Sequence, residues 1–514
     1  MNGAESLART LVASGVNTAF TNPGTSEMHF VAALDRVSEI RCVLALFEGV
    51  VTGAADGYAR MTGRPAATLL HLAPGLGNGI ANLHNASRAW SPIVNIVGDH
   101  ATYHKRFDAP LNADIEGVAR PYSKWVKTSM SAAEVARDGA AAVAAARSAP
   151  GQIATLILPA DTAWNEGEGV APPRPFTPPA PVSQSAVDGA AALLRNGKRT
   201  ALYMTGAVLR RKPLETAGRI AAATGAAMLA PYSVGRIERG AGIVPIERIP
   251  YAVDLAVERL KGFEQIILVG ASQPVAFFAY PEKPSLTTPA GCVIHLLARP
   301  EDDGIAALEA LADALGARKV EPVPQKLERP AVPSGAFTLP GIAAVIGALM
   351  PENLIVIDES ITSGRGLAPL TRGAPPHDWL GNTGGSIGFA MPVAIGTAVA
   401  CPERPVLCLE SDGSAMYTLQ SLWTMARDKL NVTTLLFNNR VYNILKNELA
   451  AVGAGNPGRR ALDMLEIGRP DLNFCSLARG MGLPAERATN LDELAGLMAK
   501  GFASKAPNLI EVML

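Results

Sequence analysis

The chain has 514 residues, and its 46 lysines and arginines balance its 46 aspartates and glutamates. A chain of this length divides into several domains, because single cores stop growing at about 250–300 residues. The balanced charge creates no field that would hold nucleic acid or an acidic membrane surface. No apolar run approaches the ~20 residues of a membrane span, and the first residues lack the pattern of a signal peptide. We therefore expect a cytoplasmic protein whose partner is a small molecule or a second copy of the chain.

Short apolar runs alternate with alanine-rich stretches along the whole chain, for example at residues 154–158, 265–269 and 354–357. Such runs, separated by helices, are typical of parallel strands that are buried on both faces. Proline-rich stretches at residues 167–182 and 321–334 interrupt the alternation and are typical of linkers. The pattern predicts an α/β protein of three domains, each a parallel sheet flanked by helices, at residues 1–166, 183–320 and 335–514.

The first domain contains three polar features in chain order. Residues 22–27 read Asn-Pro-Gly-Thr-Ser-Glu, Glu48 lies within the apolar run 43–51, and His71 comes just before a Pro-Gly turn. A carboxylate among apolar neighbours is suited to hydrogen-bond a ring nitrogen, although a glutamate at a helix N-terminus also interacts favourably with the helix dipole. A histidine can transfer protons near neutrality, although a lone histidine is more often a satisfied core residue.

The middle domain offers fewer groups that could carry chemistry. Its apolar run 265–269 leads into Gly-Ala-Ser, which does not require a bound nucleotide, so we do not expect FAD. No histidine occurs between His104 and His295, and His295 lies in an apolar run that predicts a strand.

Polar side chains follow two apolar runs of the third domain. The run 405–410 leads into Ser-Asp-Gly-Ser at residues 411–414, and the run 433–437 ends at Asn-Asn. In open α/β sheets, ligands bind at the carboxyl ends of the strands. Gly413 lets a phosphate approach the backbone, and Asp412 and Asn439 offer oxygens that suit Mg²⁺. Each motif alone is more often a turn or a cap, but the pair predicts a site for a metal ion and a diphosphate.

The pair resembles the thiamine diphosphate motif, which begins with Gly-Asp-Gly and ends with Asn-Asn a little less than thirty residues later. Here Asn439 follows Asp412 by 27 residues, and Ser411 replaces the first glycine. The segment around Glu48 resembles the superfamily of acetolactate synthase, pyruvate oxidase and benzoylformate decarboxylase, and residues 22–27 are most similar to benzoylformate decarboxylases. The resemblance covers the whole chain. It implies a pyrimidine-binding first domain, a Rossmann-like middle domain and a diphosphate-binding third domain.

The resemblance also implies roles for residues of the third domain. Thiamine diphosphate and Mg²⁺ would be the cofactors, with Asp412, the Asn439 side chain and the Val441 carbonyl as metal ligands. Gly385 would accept a hydrogen bond from the pyrimidine amino group through its carbonyl, and Ile387 would hold the cofactor in its bent shape. The diphosphate would be held by Gly413, Ser414 and Thr362.

In the first domain, the resemblance makes Glu48 the residue that activates the cofactor. Pro23 and Gly24 would contact the cofactor. Thr25 stands where benzoylformate decarboxylases have a serine that orients the substrate carboxylate, so it keeps the hydroxyl and adds a methyl group. His71 matches a catalytic histidine of those enzymes.

Three functions remain open at this stage. The first is non-oxidative decarboxylation of a 2-oxo acid, with carboligation as a possible second activity. The second is an acetolactate synthase-like carboligase, although residues 441–448 lack the tryptophan that we associate with those enzymes. The third is a nucleotide- or flavin-binding regulatory protein on the same fold. Because the family places its Glu48-type and Asp412-type residues in different subunits of one site, we expect at least a homodimer and, as the common closed form, a homotetramer.

A second active-site histidine of benzoylformate decarboxylases is missing here. The equivalent segment, residues 274–282, contains no histidine. Slower protonation after loss of CO₂ would favour hydroxyketone formation, unless Tyr280, or His377 in its predicted loop, supplies the proton.

Overall fold

The computed structural model describes residues 1–514 and has three sheets flanked by helices, which confirms the predicted α/β fold class. The first sheet is parallel throughout, and its strands are β1 (Thr18–Asn22), β2 (Arg41–Leu44), β3 (Ala66–Leu70), β4 (Ile93–Asp99), β5 (Trp125–Thr128) and β6 (Ile153–Pro159). Their spatial order is β2-β1-β3-β4-β6-β5. The helices of this region are α1 (Gly3–Ala13), α2 (Met28–Arg36), α3 (Glu48–Thr62), α4 (Leu72–Arg88), α5 (Ile115–Ala119), α6 (Ala132–Arg147) and α7 (Ala160–Trp164).

The middle sheet has five parallel strands in the order β10-β8-β7-β11-β12. The strands of this region are β7 (Thr200–Met204), β8 (Ala227–Ala230), β9 (Ile237–Arg239), β10 (Glu247–Arg248), β11 (Gln265–Val269) and β12 (Val293–Ala298). Its helices are α8 (Gln184–Arg195), α9 (Arg211–Thr224), α10 (Val253–Leu260) and α11 (Gly304–Ala314). His295 lies on β12, as the apolar pattern predicts.

The third sheet contains β13 (Ile355–Asp358), β14 (His377–Gly381), β15 (Val406–Ser411), β16 (Val432–Asn438), β17 (Ala485–Ala488) and β18 (Asn508–Met513). The order is β17-β18-β16-β15-β13-β14-β9, so β9 crosses from the middle region and pairs antiparallel with β14. The helices are α12 (Leu339–Leu349), α13 (Leu367–Thr371), α14 (Ala390–Ala400), α15 (Asp412–Ala415), α16 (Ser421–Arg427), α17 (Asn443–Ala451), α18 (Arg459–Asp463), α19 (Phe474–Gly480) and α20 (Leu491–Ser504).

Seven helices begin after a short polar side chain that bonds a free backbone N–H group of the first turn. Such caps are made by Asn2, Asp114, Ser183, Asp303, Thr338, Asn473 and Asn490. Residues 167–182 and 321–334 contain no helix and no strand. The domain limits drawn from these two segments stay a prediction. No helix is both long and apolar enough to cross a lipid bilayer.

Helices α3 and α14 pack against each other and thereby join the first sheet region to the third. A Cβ atom on Gly57 would lie 2.2 Å from the carbonyl oxygen of Val393, and one on Gly53 would lie 2.5 Å from Cβ of Pro392. Glycine therefore permits this close approach. One apolar cluster spans both regions and includes Phe20, Phe389 and Phe474 among others. The carboxyl edges of the first and third sheets are thus held in a fixed relation.

Candidate active site

The first sheet brings the three N-terminal features together. Because β2, β1 and β3 are neighbours, their carboxyl ends lie side by side at one edge. Glu48 begins α3 after β2, residues 23–27 follow β1, and His71 follows β3. The edge therefore collects a carboxylate, a polar turn and a histidine, as expected for a ligand site in an α/β sheet.

His71 is held by Glu27, a residue that sequence reasoning did not select. Nδ1 of His71 lies 3.0 Å from Oε2 and 3.2 Å from Oε1 of Glu27. Glu27 is 2% exposed, and it also accepts hydrogen bonds from the Gly24 N–H (2.7 Å) and the Ser26 hydroxyl (2.5 Å). A buried carboxylate with these donors fixes the ring orientation of His71 and leaves Nε2 free for a reacting group.

The turn after β1 packs directly on the histidine ring. A Cβ atom on Gly24 would lie 2.1 Å from Nδ1 of His71, so glycine is needed at this position. Pro23 is half-buried and Thr25 is exposed, whereas the Ser26 hydroxyl lies 3.5 Å from Nδ1 of His71. Glu27 bonds the N–H three residues earlier, which is the spacing of a capping box. That spacing was the available sequence signal for Glu27.

Glu48 is 7% exposed, and its Oε2 accepts a hydrogen bond from the Asn78 side chain at 3.0 Å. Asn78 lies on α4 together with Asn82 and Asn85, at spacings that place the three on one helix face. Asn82 donates to the carbonyls of Gly49 (2.8 Å) and Gly388 (3.2 Å). Asn85 donates to the carbonyl of Ser386 at 2.8 Å. This asparagine row, which sequence reasoning missed, connects the start of α3, where Glu48 lies, to residues 386–388 of the same chain.

The third sheet brings its candidate residues together in the same way. Strands β16, β15, β13 and β14 are neighbours, and their carboxyl ends lead to Asn439, Asp412, Thr362 and the segment with Gly385 and Ile387. Thr362 and Asn439 line one cavity of about 360 Å³, together with Ser363 and Asn443 among other residues. No group of three or more His, Cys, Asp or Glu side chains is arranged to hold a metal ion.

Asp412 lies in direct contact with the Asn439 segment. Its Oδ2 accepts hydrogen bonds from the N–H groups of Asn439 (3.0 Å) and Arg440 (2.6 Å), and Oδ1 of Asn439 accepts from the Val441 N–H at 3.0 Å. Burial raises the pKa of Asp412, and the backbone N–H groups oppose this rise. A divalent cation would offset the cost of this buried charge. The donor set, one carboxylate with amide and carbonyl oxygens nearby, fits Mg²⁺ bound together with a diphosphate.

Gly413 lies at the turn where the sequence predicts a diphosphate site. A Cβ atom on Gly413 would lie 2.4 Å from the Tyr442 ring, so glycine permits this ring to pack against the backbone. The Ser414 hydroxyl lies within hydrogen-bond distance of two acceptors, a Glu410 carboxylate oxygen and the Ser411 carbonyl (3.1 Å). The Ser414 hydroxyl would have to rotate to meet a phosphate.

Two buried glutamates lie behind this turn. Glu359 accepts hydrogen bonds from the N–H groups of Phe389 (2.8 Å) and Ala390 (2.9 Å) at the start of α14. Burial raises the pKa of Glu359 to about 7 and raises the pKa of Glu410 well above its usual range, with Glu359 adding to the rise for Glu410. The pair ties β13 and β15 to the helix that follows Ile387.

The two proposed substitutes for the missing histidine lie in different settings. His377 was expected in a loop, but it begins β14, is 3% exposed and lies 2.7 Å from the Pro375 carbonyl through Nδ1. Burial lowers the pKa of His377 to about 3. Because His377 begins β14, it lies at the amino end of that strand, away from the carboxyl edge where the candidate residues meet. Tyr280 donates its hydroxyl hydrogen to Glu448 at 2.8 Å. A Cβ atom on Gly385 would lie 2.6 Å from Cζ of Phe277, so this ring packs closely on the Gly385 backbone.

Family models match both ends of the chain. Residues 1–118 match the N-terminal TPP binding domain of thiamine pyrophosphate enzymes, and residues 363–512 match the C-terminal TPP binding domain; thiamine pyrophosphate is another name for thiamine diphosphate. A Mycobacterium tuberculosis protein provisionally named an acetolactate synthase large subunit is 53% identical, covering 100% of this chain and 99% of that protein. Benzoylformate decarboxylase of Pseudomonas aeruginosa is 30% identical, covering 97% of this chain and 96% of that protein.

Solved structures share the whole fold. The thiamine diphosphate-dependent 4-hydroxybenzoylformate decarboxylase of Rhodococcus jostii superposes with a TM-score of 0.85 at 24% identity, covering 100% of this chain and 99% of that chain. Benzoylformate decarboxylase of Polynucleobacter necessarius gives 0.83 at 23% identity, with the same coverage. With the two family models and the full-length relatives, the chain belongs to the thiamine pyrophosphate-dependent enzyme family.

Proposed function

We propose that this protein is a thiamine diphosphate- and Mg²⁺-dependent enzyme that decarboxylates a 2-oxo acid without oxidation, with C–C bond formation to a second carbonyl compound as a further outcome. The observation that carries the proposal is the hydrogen bond between buried Glu27 and partly exposed His71, at the sheet edge that also holds Glu48. The names of the two relatives, a decarboxylase and a provisional acetolactate synthase, support both outcomes.

The third-sheet residues would hold the cofactor. Asp412, the Asn439 side chain and the Val441 carbonyl would bind Mg²⁺. Gly413 would admit the diphosphate, and Thr362 and Ser414 would add hydroxyl contacts. When bound, thiamine diphosphate supplies a carbon that adds to the 2-oxo group and accepts the electron pair released with CO₂.

The remaining site residues would act as follows. Glu48, oriented by the hydrogen bond from Asn78, would bond the pyrimidine ring nitrogen. The Gly385 carbonyl would accept from the amino group, and Ile387 would support the cofactor. His71, with Nδ1 turned to Glu27, would move a proton at Nε2. Pro23, Gly24 and Thr25 would line the substrate side, with Thr25 or Ser26 bonding the substrate carboxylate.

Carboligation is favoured by one specific feature. Tyr280 has its hydroxyl hydrogen bonded to Glu448, and His377 is buried at the start of a strand, which disfavours both as substitutes for the missing second histidine. Protonation after loss of CO₂ would then be slow, and a second carbonyl compound could capture the carbon instead.

The proposal includes a homodimer at least, with a homotetramer as its closed form, and a cytoplasmic location. In the family, the Glu48 half and the Asp412 half of each site come from different subunits. Sedimentation of the purified protein as a monomer under all conditions of activity would contradict this part.

Product analysis tests the proposed reaction. Purified enzyme with thiamine diphosphate and Mg²⁺ is given an accepted 2-oxo acid and an excess of aldehyde, and free aldehyde and hydroxyketone are measured. We expect CO₂ release with a substantial hydroxyketone fraction. Almost exclusive aldehyde release would show that protonation is efficient and would limit the protein to simple decarboxylation.

A further inference from the structure

Two tyrosine hydroxyls meet one carboxylate where the middle region contacts α17. Tyr280 donates to Oε2 of Glu448 at 2.8 Å, and Tyr251 donates to Oε1 at 3.2 Å. Burial raises the pKa of both tyrosines, and the hydrogen bond to Glu448 adds to the rise for Tyr280. Both hydroxyls therefore stay protonated donors, and the carboxylate is fixed in place by two bonds.

Aromatic rings extend from this carboxylate as a continuous surface. Ring centroids are 5.1 Å apart for Tyr232 and Tyr251, 5.5 Å for Tyr251 and Phe277, and 4.8 Å for Phe277 and Phe278. Tyr232, Phe277 and Phe278 are 46%, 47% and 53% exposed. All three rings are therefore exposed on the single chain.

The surface adjoins the site described above. Phe277 packs against the backbone of Gly385, at the segment expected to meet the pyrimidine. Glu448 lies on α17, which begins two residues after Val441. The aromatic surface thus runs from the backbone at Gly385, through Phe277 and Tyr251, to the Glu448 carboxylate.

The chemistry of this arrangement suits a cation. A carboxylate that accepts one hydrogen bond at each oxygen keeps free lone pairs for a further donor. Aromatic faces attract cations, and the ammonium of Lys283, which is paired with Asp254 at 2.6 Å, already lies 5.8 Å from the Tyr280 ring.

Apart from Lys283, which is paired with Asp254, two positive groups act on the Tyr232 end of this surface. Arg248 and Arg365 both lower the pKa of Tyr232 against a larger rise from burial and Asp358. A cationic ligand group is therefore directed towards Glu448 and away from Tyr232.

We propose that Glu448, fixed by Tyr251 and Tyr280, is a specificity residue that selects a 2-oxo acid whose side chain ends in an ammonium or guanidinium group. This inference rests on the proposed function, because it assumes that the reacting 2-oxo group and the charged group are the two ends of one substrate. The opposing interpretation is that Glu448 only fastens α17 to the middle region. If Glu448 has only this structural role, its substitution should change the affinity for all ligands equally. If it is a specificity residue, its substitution should change the affinity for the charged ligand.

Calorimetry with unreactive analogues separates the two roles. The holoenzyme with thiamine diphosphate and Mg²⁺ is titrated with 2-hydroxy acids of matched length that end in an ammonium, methyl, hydroxyl or carboxylate group, such as 6-amino-2-hydroxyhexanoate against 2-hydroxyheptanoate. We expect the ammonium analogue to bind at least about tenfold more tightly than the methyl analogue, which corresponds to about 1.4 kcal/mol. Glu448→Gln should remove this preference, and the control Tyr280→Phe, which keeps the charge and the ring, should retain it.

Several results would overturn the inference. One is that the wild-type enzyme binds the methyl, hydroxyl or carboxylate analogue as tightly as the ammonium analogue, or more tightly. Another is that Glu448→Gln weakens the binding of all four analogues equally. Should that variant fail to fold, Glu448→Asp keeps the charge and must keep the preference for ammonium. The binding result is independent of turnover. Failure of the proposed function would instead be seen as no CO₂ from any 2-oxo acid, aryl acids included.

Discussion

Substitution of Glu27 by glutamine tests how the site is built. The amide can place its oxygen towards the Gly24 N–H and Nδ1 of His71 and its nitrogen towards Ser26, so the fold should survive. What is lost is the negative charge that three donors share. A hydrogen bond to a charged group contributes about 1.5–3 kcal/mol. Since 1.36 kcal/mol is tenfold in rate, kcat should fall about tenfold to a hundredfold.

KM should change little in Glu27→Gln, because Glu27 is 2% exposed and acts through His71. If about 1–2 kcal/mol of folding free energy is also lost, Tm falls by about 2–8 °C for a cooperative region of 150–250 residues. Steady-state kinetics and calorimetry measure both effects. Glu5→Gln, a partly exposed change in the same region, is the matched control. Wild-type kcat in Glu27→Gln would refute the view that this carboxylate positions His71.

Three further predictions concern other parts of the site. Asp412→Ala should abolish Mg²⁺-dependent binding of thiamine diphosphate, and unchanged affinity by calorimetry would refute the metal assignment. Glu48→Gln should bind the cofactor within a few-fold of wild type yet lose at least about tenfold in kcat, or about 1.4 kcal/mol of barrier; wild-type turnover would contradict its role. For Glu359, the pKa of about 7 in the folded state lies above the ordinary value of 4.5. Between these pH values the folded state keeps a proton that the unfolded chain loses, so stability should fall as pH rises from 4.5 to about 7. Glu359→Gln should flatten this fall in urea titrations, and an unchanged pH slope would show that Glu359 titrates normally.

The fold and the third-sheet motif were predictable because their signals are local. Buried strands are continuous apolar runs, and Asp412 and Asn439 stand directly after two of them. Their meeting follows from the rule that parallel strands end at one edge. The roles given to the site residues stay predictions, since contact alone does not show catalysis.

The missed contacts join residues that are distant in sequence. Glu27 meets His71 across 44 residues, and Tyr280 meets Glu448 across 168 residues. No periodicity predicts such pairs, because tertiary packing decides them. The asparagine row on α4 was different, since its helical spacing was visible in the sequence.

The loop prediction for His377 was wrong for a similar reason. Two prolines precede it and indicate a turn, but the strand begins immediately afterwards. On its outer side that strand pairs with β9, which comes from the middle region. Neither its position in the sheet nor the burial of His377 could be inferred from neighbouring residues.

We expect this chain to decarboxylate a 2-oxo acid with thiamine diphosphate and Mg²⁺. The most direct test measures CO₂ from a panel of aryl, branched, linear and ammonium-ended 2-oxo acids, using enzyme stripped of cofactor and then reconstituted. We predict that at least one acid releases CO₂, only when both thiamine diphosphate and Mg²⁺ are present, and that Asp412→Ala releases none. CO₂ release from no acid of the panel by the reconstituted enzyme, or equal release without the cofactor, would contradict the account.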